Sequence, residues 1–384
     1  MKYNRVILMN GTFSGSQHEM IDSSLIIAFA LIAKDVEVFF QWKRCEIIRG
    51  LANQRLGENQ IKYNRIFNLP DSVRVTFREL IAAIQECWVF LIHADRNSLT
   101  CLTYINRFNC YALNFLSKIT HKPLLIICHG EIRLISQDPC KNDINWVKML
   151  RHFYRKTSIA EKTKLIVLGD HIRENLSPWI PKTKLDKFIS FEHLYYPTTD
   201  TPIKPIHHPI RIGVIGFLKR DKERGFENVK KLANNLCGDS DFELRLLSSI
   251  QKDLVMELPD SVKLMNPDSV FIPRGEYNKM IEELDYIYCP YPDTAFKYTA
   301  SGALLEAISK RKPIIMHYNQ YGDYLRNKYG DFGVIINGTD YDSLKRILKD
   351  EKKYMLYIQQ QDSLLEKITP ESLCMKLSDI CDTI

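Results

Sequence analysis

The sequence predicts an α/β protein made of two domains, each built on a parallel sheet with helices on both faces. Three observations support this fold class. Apolar runs of strand length alternate with stretches of helical periodicity through almost the whole chain. A segment with four prolines and no apolar periodicity, residues 196–209, separates this alternation into two sets. The length of 384 residues is sufficient for two domains with separate cores.

In the first half, six short apolar runs are predicted as strands. They cover residues 5–9, 36–40, 88–93, 124–128, 165–168 and 188–191. The clearest helices between them are residues 20–33 and 102–118. A second alternating set begins with the apolar run at Ile210. We therefore expect a first domain over residues 1–195, a linker over 196–209, a second domain over 210–355 and C-terminal helices over 356–384 that could cross back to the first domain.

The stretch of residues 285–318 carries the most information about function. Residues 286–289 read as a buried strand, and Ser301 and Gly302 then open an apolar helix that ends before the strand 314–318. A helix that follows a parallel strand in this way directs free backbone N–H groups at the carboxyl edge of the sheet, where a phosphate can bind. Glu306 lies about one turn into the helix, where its carboxylate could reach a ribose hydroxyl.

The segment SGALLEAISKRKPII, residues 301–315, resembles the nucleotide-sugar-binding signature of GT-B glycosyltransferases, especially the group 1 (family 4) enzymes. This resemblance implies two Rossmann-like domains facing a central cleft. It also implies that Ser301, Gly302, Ala303 and Glu306 bind the donor. Retaining members of the family carry two glutamates eight positions apart. Glu306 matches the second of them, and Tyr298 stands at the position of the first, which makes Tyr298 a further candidate donor contact.

The loop that opens the second half is a candidate site for the donor diphosphate. Group 1 enzymes place an Arg and a Lys there, the Lys just before a glycine, and Arg224 occupies the position of that Lys. Phe217 stands near the position of the Arg, so Lys219 or Arg220 would have to replace it. These cations would neutralise charge on the leaving diphosphate.

Two further segments resemble donor contacts of the family. Phe271, Ile272 and Pro273 match the part in which a strand end and the next helix hold the nucleobase. In the first domain, the glycine-containing loop after the first strand resembles the turn that lies under the donor phosphates, which makes Gly15 a candidate contact.

The candidate catalytic residues lie in the first domain. His129 ends the predicted strand 124–128, where many group 1 enzymes have a histidine that contacts the donor sugar. Glu131 could orient His129 or accept a proton from the acceptor hydroxyl. His18 and Glu19 lie at the start of the first helix, where inverting GT-B enzymes of other families place a base. A helix-start histidine without a role explains His18 equally well.

The positive charge is concentrated in the first domain. Residues 1–195 hold 27 Lys or Arg and 18 Asp or Glu, a net charge of +9, and the remainder holds 26 and 28, a net charge of −2. In the helical segment 144–156, Trp146 and Phe153 share an apolar face that basic residues flank. This helix could lie on an anionic membrane, or it could pack its apolar face on its own domain. We favour packing.

Composition argues against a membrane-spanning protein and against a disulfide or zinc framework. No run of about 18 apolar residues is present, and the ten cysteines are scattered without a C-x-x-C pair, which is typical of reduced thiols in a cytosolic protein. The two D-x-D triplets, which begin at Asp239 and Asp340, do not follow strands, so we expect no metal. We expect no other cofactor and no nucleic acid partner.

The resemblance therefore implies a cytoplasmic glycosyltransferase that moves a sugar from a nucleotide diphosphate-sugar to a hydroxyl of a glycan or lipid-linked acceptor, in bacterial-type surface polysaccharide or glycolipid assembly. The resemblance favours retention of configuration slightly over inversion. Two alternatives stay open. One is a nucleotide-sugar epimerase on the same fold, and the other is a non-catalytic sugar-nucleotide or glycan-binding protein, which the tyrosine at position 298 would suit.

Overall fold

The computed structural model describes residues 2–12, 18–57, 61–70, 72–136, 145–197, 202–218, 225–236, 238–268, 272–336, 338 and 340–384. The chain forms two compact units. The first unit comprises Met1–Tyr196, Tyr298–Ala300 and Ile368–Ile384, and the second comprises Pro197–Lys297 and Ser301–Lys367.

The first unit is built on a seven-stranded sheet with the strand order β3-β2-β1-β4-β5-β6-β7. Its strands are β1 Arg5–Asn10, β2 Asp35–Gln41, β3 Lys62–Ile66, β4 Ser98–Leu102, β5 Leu124–Cys128, β6 Thr163–Val167 and β7 Phe188–Ser190. Every pair of neighbours in this sheet is parallel. Parallel strands are covered on both faces, which explains why β1 and β5 are apolar along nearly their whole length.

Helices connect these strands. They are α1 Glu19–Ile32, α2 Trp42–Leu56, α3 Val75–Ile92, α4 Asn109–Thr120, α5 Asn145–Lys156, α6 Asp170–Leu176 and α7 Lys182–Leu185, with a 3-10 helix at Gly130–Ile135. The C-terminal helix of the chain, Pro370–Asp382, also belongs to this unit. It is held by an ion pair between Arg55 and Glu371 at 2.7 Å, and the Tyr195 amide donates to the Ile368 carbonyl at 2.9 Å.

The second unit is built on a six-stranded parallel sheet with a separate pair of short strands. The strands are β8 Ile210–Val214, β9 Phe217–Leu218, β10 Phe242–Leu246, β11 Ser249–Ile250, β12 Lys263–Leu264, β13 Tyr286–Cys289, β14 Ile314–His317 and β15 Gly333–Ile336. The main sheet has the order β12-β10-β8-β13-β14-β15, and β9 pairs with β11. The switch in order beside β8 and β13 is where ligands bind in open parallel sheets.

The helices of the second unit alternate with its strands. They are α8 Phe226–Leu236, α9 Lys252–Val255, α10 Arg274–Glu282, α11 Gly302–Ser309, α12 Gln320–Tyr329, α13 Tyr341–Leu348 and α14 Glu351–Lys367, and the C-terminal helix Pro370–Asp382 is α15. The predicted α/β class with two parallel sheets is therefore confirmed. Buried residues of β8, β10, β13, α8 and α14 share one apolar core.

One predicted element of the first unit is wrong, and another begins at a different residue. The apolar run 88–93 was expected to be a strand, but it is the last part of α3 and the residue that follows it. The central strand of that region is β4, which begins at Ser98. The reason is that α3 is apolar on its outer face as well as its inner one, so its C-terminal turns lack the polar positions that mark a helix. The helix predicted over 102–118 begins later, at Asn109.

The basic helix α5 packs on its own unit. Phe153 is fully buried and Leu150 nearly so. Two of its cations also face inward, because Arg151 donates to the Leu134 carbonyl at 3.2 Å and Arg155 to the Ile135 carbonyl at 2.7 Å. Phe153 and Leu150 are therefore not available to a membrane, and the packed interpretation of this helix is the one that the structure supports.

Candidate functional site

The start of α11 has the local structure of an anion site. Ser301 is buried and caps the helix, because its Oγ accepts the Leu304 amide at 3.3 Å. The Leu305 amide makes the next bond, to the Ser301 carbonyl at 3.2 Å. The amides of Gly302 and Ala303 precede this bond and therefore have no carbonyl partner within the helix. They lie at the positive end of the helix dipole.

Glu306 lies one turn further along the same helix and is buried. Its Oε2 is 3.0 Å from Nη1 of Arg274, the first residue of α10. Burial and the nearby Glu306 carboxylate both raise the pKa of Tyr277, so this phenol keeps its proton. Near the start of α11, the Glu306 carboxylate is therefore a hydrogen-bond acceptor, and the Arg274 guanidinium and the Tyr277 hydroxyl are donors. A ribose needs an acceptor for its hydroxyls, and a diphosphate needs donors for its oxygens.

The start of α8 lies against the end of β13. Gly225 has a φ of +72°, and a Cβ at this position would lie 2.2 Å from the Pro290 carbonyl oxygen. The Asn228 side chain donates to the same oxygen at 2.8 Å. Gly225 is therefore required both for the backbone conformation and for the close approach of the segments that contain Gly225 and Pro290. This contact fixes a second helix start at the carboxyl edge of the sheet.

Several predicted donor contacts lie outside the described residues. They are Gly15, Lys219, Arg220, Arg224 and Phe271. Of the predicted nucleobase wall, Ile272 is half-buried and Pro273 is exposed, and both directly precede α10. Ser301 caps α11, and Gly302, Ala303 and Glu306 lie in its first two turns, where the sequence predicts a helix.

Tyr298 makes a contact that differs from that of a donor-binding carboxylate. Trp179 donates its indole Nε1–H to the Tyr298 hydroxyl at 2.9 Å, and both residues belong to the first unit. Tyr298 is 6% exposed. The tyrosine therefore contributes a structural hydrogen bond at the position where the family pattern has its first glutamate.

Two predicted catalytic histidines are neighbours in the first unit. The ring centroids of His18 and His129 are 4.7 Å apart. His129 is buried, and burial together with the imidazoles of His18 and His193 holds its pKa well below the usual value. Its Nε2 is 2.8 Å from the Thr103 carbonyl oxygen, which requires Nε2 to carry the proton. His129 is therefore a neutral imidazole near pH 7, with Nδ1 as its acceptor nitrogen.

Glu131 does not orient the His129 ring in the described contacts. Its Oε1 accepts the backbone amide of His129 at 2.8 Å and the Tyr154 hydroxyl at 3.2 Å. Burial raises the pKa of Glu131 to about 7. The carboxyl group thus fixes the turn that carries His129.

Sequence reasoning missed a buried ion pair beside these histidines. Arg44 and Asp22 are both fully buried, and Arg44 Nε donates to Asp22 Oδ2 at 2.8 Å. The same Asp22 oxygen accepts from Asn10 Nδ2 at 3.3 Å, and Asn10 also reaches Thr103 at 3.2 Å. This network joins α1, α2 and the ends of β1 and β4. A charged residue within the apolar run of α1 is the sequence signal that could have revealed it.

A second missed residue, Glu86, holds the chain where it leaves β1. Its Oε1 accepts the Gly11 amide at 2.7 Å, and its Oε2 accepts Asn109 Nδ2 at 2.8 Å. Gln41 donates to the Gly11 carbonyl at 2.5 Å. Burial raises the pKa of Glu86 to about 7. Both polar groups of Gly11 are thus fixed by side chains from the neighbouring elements.

In the described part of the chain, no three His, Cys, Asp or Glu side chains come together as metal ligands. The Asp340 carboxylate caps α13 by accepting the Ser343 amide at 3.0 Å, as its position predicts. Within the same described residues, no helix is both long and apolar enough to cross a bilayer.

The sequence matches no protein-family model and no curated protein. Solved structures are similar over its whole length. Anabaena HepE in complex with UDP-glucose is 10% identical, with a TM-score of 0.62 over 99% of this chain and 100% of that chain. TarM, an S. aureus protein, is 10% identical, with a TM-score of 0.68 over 99% of both chains. The chain has the GT-B fold.

A glycosyltransferase from Rickettsia africae is also similar, at 14% identity with a TM-score of 0.64 over 100% of this chain and 98% of that chain. The GT-B fold that the motif at residues 301–315 predicts is therefore confirmed. These identities establish the architecture, and the chemistry has to be argued from the side chains of this chain.

Proposed function

We propose that this protein is a glycosyltransferase that uses a nucleotide diphosphate-sugar as donor. The observation that carries the proposal is the arrangement at α11. In this GT-B fold, Ser301 caps the start of α11, and Glu306 lies one turn later with its Oε2 3.0 Å from Arg274 Nη1. A helix start supplies amides for phosphate oxygens, and a carboxylate beside it supplies an acceptor for ribose hydroxyls.

The donor would be held mainly through its diphosphate and ribose. The amides of Gly302 and Ala303 would bind phosphate oxygens, because they have no partner within α11. Glu306 would accept from a ribose hydroxyl. Arg224, with Lys219 or Arg220, would neutralise the charge that develops as the diphosphate leaves. Ile272 and Pro273, next to Arg274, would border the nucleobase.

The first unit would supply the acceptor side of the reaction. His129 is neutral near pH 7 and presents Nδ1 as an acceptor nitrogen, so it can take a hydrogen bond from a sugar or acceptor hydroxyl. Glu131 would act on the turn that carries His129. If the reaction inverts configuration, His18, Glu19 or Glu131 would serve as the base. If it retains configuration, the departing phosphate oxygen would take the acceptor proton on the same face.

We favour retention slightly, as the resemblance of the motif at α11 implies. The tyrosine at position 298 supplies no carboxylate, so the donor sugar would be held by other groups. The solved structures support a uridine nucleotide as the first donor to test, because HepE was solved with UDP-glucose and with UDP and glucose. We place the reaction in the assembly of a surface polysaccharide or glycolipid, without a metal, and in the cytoplasm.

Turnover with a panel of nucleotide sugars tests this function. The protein is incubated with UDP-, GDP-, ADP- and dTDP-sugars, with and without glycan and lipid-linked acceptors, and nucleotide release is measured. We expect release of a nucleoside diphosphate that increases when the correct acceptor is present. Interconversion of donor sugars without an acceptor would instead show an epimerase. Saturable binding without any turnover would show a sugar-nucleotide-binding protein, the alternative that Tyr298 keeps open.

A further inference from the structure

The outer surface of α3 and α4 is unusually apolar. Trp88 is 63% exposed and Phe115 60% exposed, and Ile84, Ile92 and Ile119 are more than half exposed. These residues recur every three or four positions, so they form continuous stripes along helices that pack side by side. Single exposed apolar residues are common on soluble proteins, but a contiguous surface of this kind indicates an interaction site.

The two stripes enclose a groove of about 700 Å³. Leu80, Ile84 and Trp88 line it from α3, Phe115 from α4 and Met149 from α5. The helix α3 has 18 residues, so the apolar surface runs for about 27 Å at 1.5 Å per residue. Large aromatic and aliphatic side chains along such a length are typical of helices that lie in a membrane interface.

Basic residues outnumber acidic residues in the segment that carries this surface. Residues 74–122 contain six Lys or Arg and three Asp or Glu. Of the acids, Glu86 is buried and Glu79 is 2.6 Å from Arg107. The outward charge is therefore mostly basic.

Three cations cluster where α3 and α4 end. Lys122 Nζ donates to the Leu91 carbonyl at 2.8 Å, and Arg96 Nε donates to the Thr120 carbonyl at 3.3 Å. Lys118 is exposed one turn after Phe115. Asp95 is the acidic residue of this region. An anionic headgroup layer would meet these cations while the apolar stripes enter the acyl boundary.

We propose that the α3 and α4 surface docks on an anionic lipid membrane. A second copy of the chain fits the same surface less well. In a two-fold dimer the same patch faces itself, so the excess of cations around it would meet another excess of cations. A bilayer that contains anionic lipid covers the apolar stripes and neutralises the cations together. This inference goes beyond the proposed reaction and does not depend on it.

Sedimentation with lipid vesicles tests the proposal. The wild-type chain is mixed with vesicles of phosphatidylcholine alone or with 30% phosphatidylserine, a composition chosen for the experiment in which surface charge is substantial. We expect the protein to sediment with the anionic vesicles and to be released at 1 M salt, where the Debye length is about 3 Å. The double substitution Trp88→Ser/Phe115→Ser should abolish sedimentation, because it removes an aromatic residue from each stripe.

Two further variants separate charge from apolar contact. Lys118→Ser and Arg96→Ser should each weaken partitioning about five-fold, which corresponds to the contribution of one basic residue near an anionic surface. Met375→Ser is the matched control, because Met375 is an exposed apolar residue on α15 of the same unit, 81% exposed. It should sediment like the wild type. Far-UV circular dichroism of each variant checks that the fold is retained.

Three results would overturn the proposal. The first is a wild-type chain that stays in the supernatant with anionic vesicles at low salt. The second is sedimentation that Trp88→Ser/Phe115→Ser leaves unchanged. The third is a concentration-dependent dimer that this substitution dissociates, without any binding to lipid. None of these results depends on whether the protein transfers a sugar.

Discussion

Replacing Arg44 by alanine is expected to lower the free energy of unfolding by about 3 to 5 kcal/mol. The side chain is fully buried and forms an ion pair with Asp22, which is also fully buried. Without the guanidinium, the Asp22 carboxylate stays in the interior with no cation to offset its lost hydration. Urea unfolding at pH 7, followed by circular dichroism, measures the change. The effect should be large because removal of one partner leaves a buried charge, whatever the net contribution of the pair.

The neighbouring residue provides a control. Lys43 is exposed on the same helix, and Lys43→Ala should change the unfolding free energy by less than about 0.5 kcal/mol. The double variant Asp22→Asn/Arg44→Met should recover part of the loss, because it removes both charges. Equal destabilisation by Lys43→Ala and Arg44→Ala would show that the buried ion pair contributes no more to the free energy of unfolding than an exposed lysine does. Replacing Arg44 also affects the end of β1, since Asp22 accepts a hydrogen bond from Asn10 there.

The substitution Glu306→Gln is expected to weaken nucleoside diphosphate binding about 10- to 100-fold. A hydrogen bond to a charged group contributes about 1.5 to 3 kcal/mol, and each 1.4 kcal/mol is a factor of ten in affinity. The glutamine keeps the size of the side chain but removes the charge that pairs with Arg274 at 3.0 Å. Isothermal titration with UDP measures the dissociation constant at a temperature where both proteins are folded.

A nearby acid serves as the control for charge. Glu276 lies in the first turn of α10 and is exposed, so Glu276→Gln removes the same charge without touching the pair. It should bind UDP like the wild type. An unchanged dissociation constant in Glu306→Gln would remove Glu306 from the donor site, and an equal loss in both variants would indicate a general effect of charge.

The sequence was most informative where structure is decided locally. The start of α11 was predictable because a cap, an apolar helix and a following strand all lie within residues 301–318. The capping bond from Leu304 to Ser301 spans three residues. Prediction failed at residues 88–93, since an apolar run does not by itself distinguish a strand from a helix with two apolar faces. That second apolar face is the surface proposed here to meet lipid.

The pairing of residues that are far apart in the sequence could not be predicted. Arg44 acquires its role from Asp22, 22 positions earlier, and Glu86 from Gly11, 75 positions earlier. Neither pairing follows from periodicity or from a motif, because the fold alone brings these positions together. The position of His129 directly after β5 was predictable, whereas its low pKa depends on burial and on two other histidines.

Hydrogen exchange with bound nucleotide is the most direct test that α11 is a donor site. The chain is labelled in deuterated buffer with saturating UDP, GDP, ADP or dTDP in turn, and peptides that cover residues 301–306 are compared with peptides of α15. We predict that at least one of these nucleotides, with UDP as the first candidate, slows exchange at Gly302 and Ala303 and leaves exchange in α15 unchanged. The reason is that phosphate oxygens would accept hydrogen bonds from the amides that have no partner within the helix. Unchanged exchange over residues 301–306 with every nucleotide, under conditions where calorimetry shows binding, would contradict the assignment.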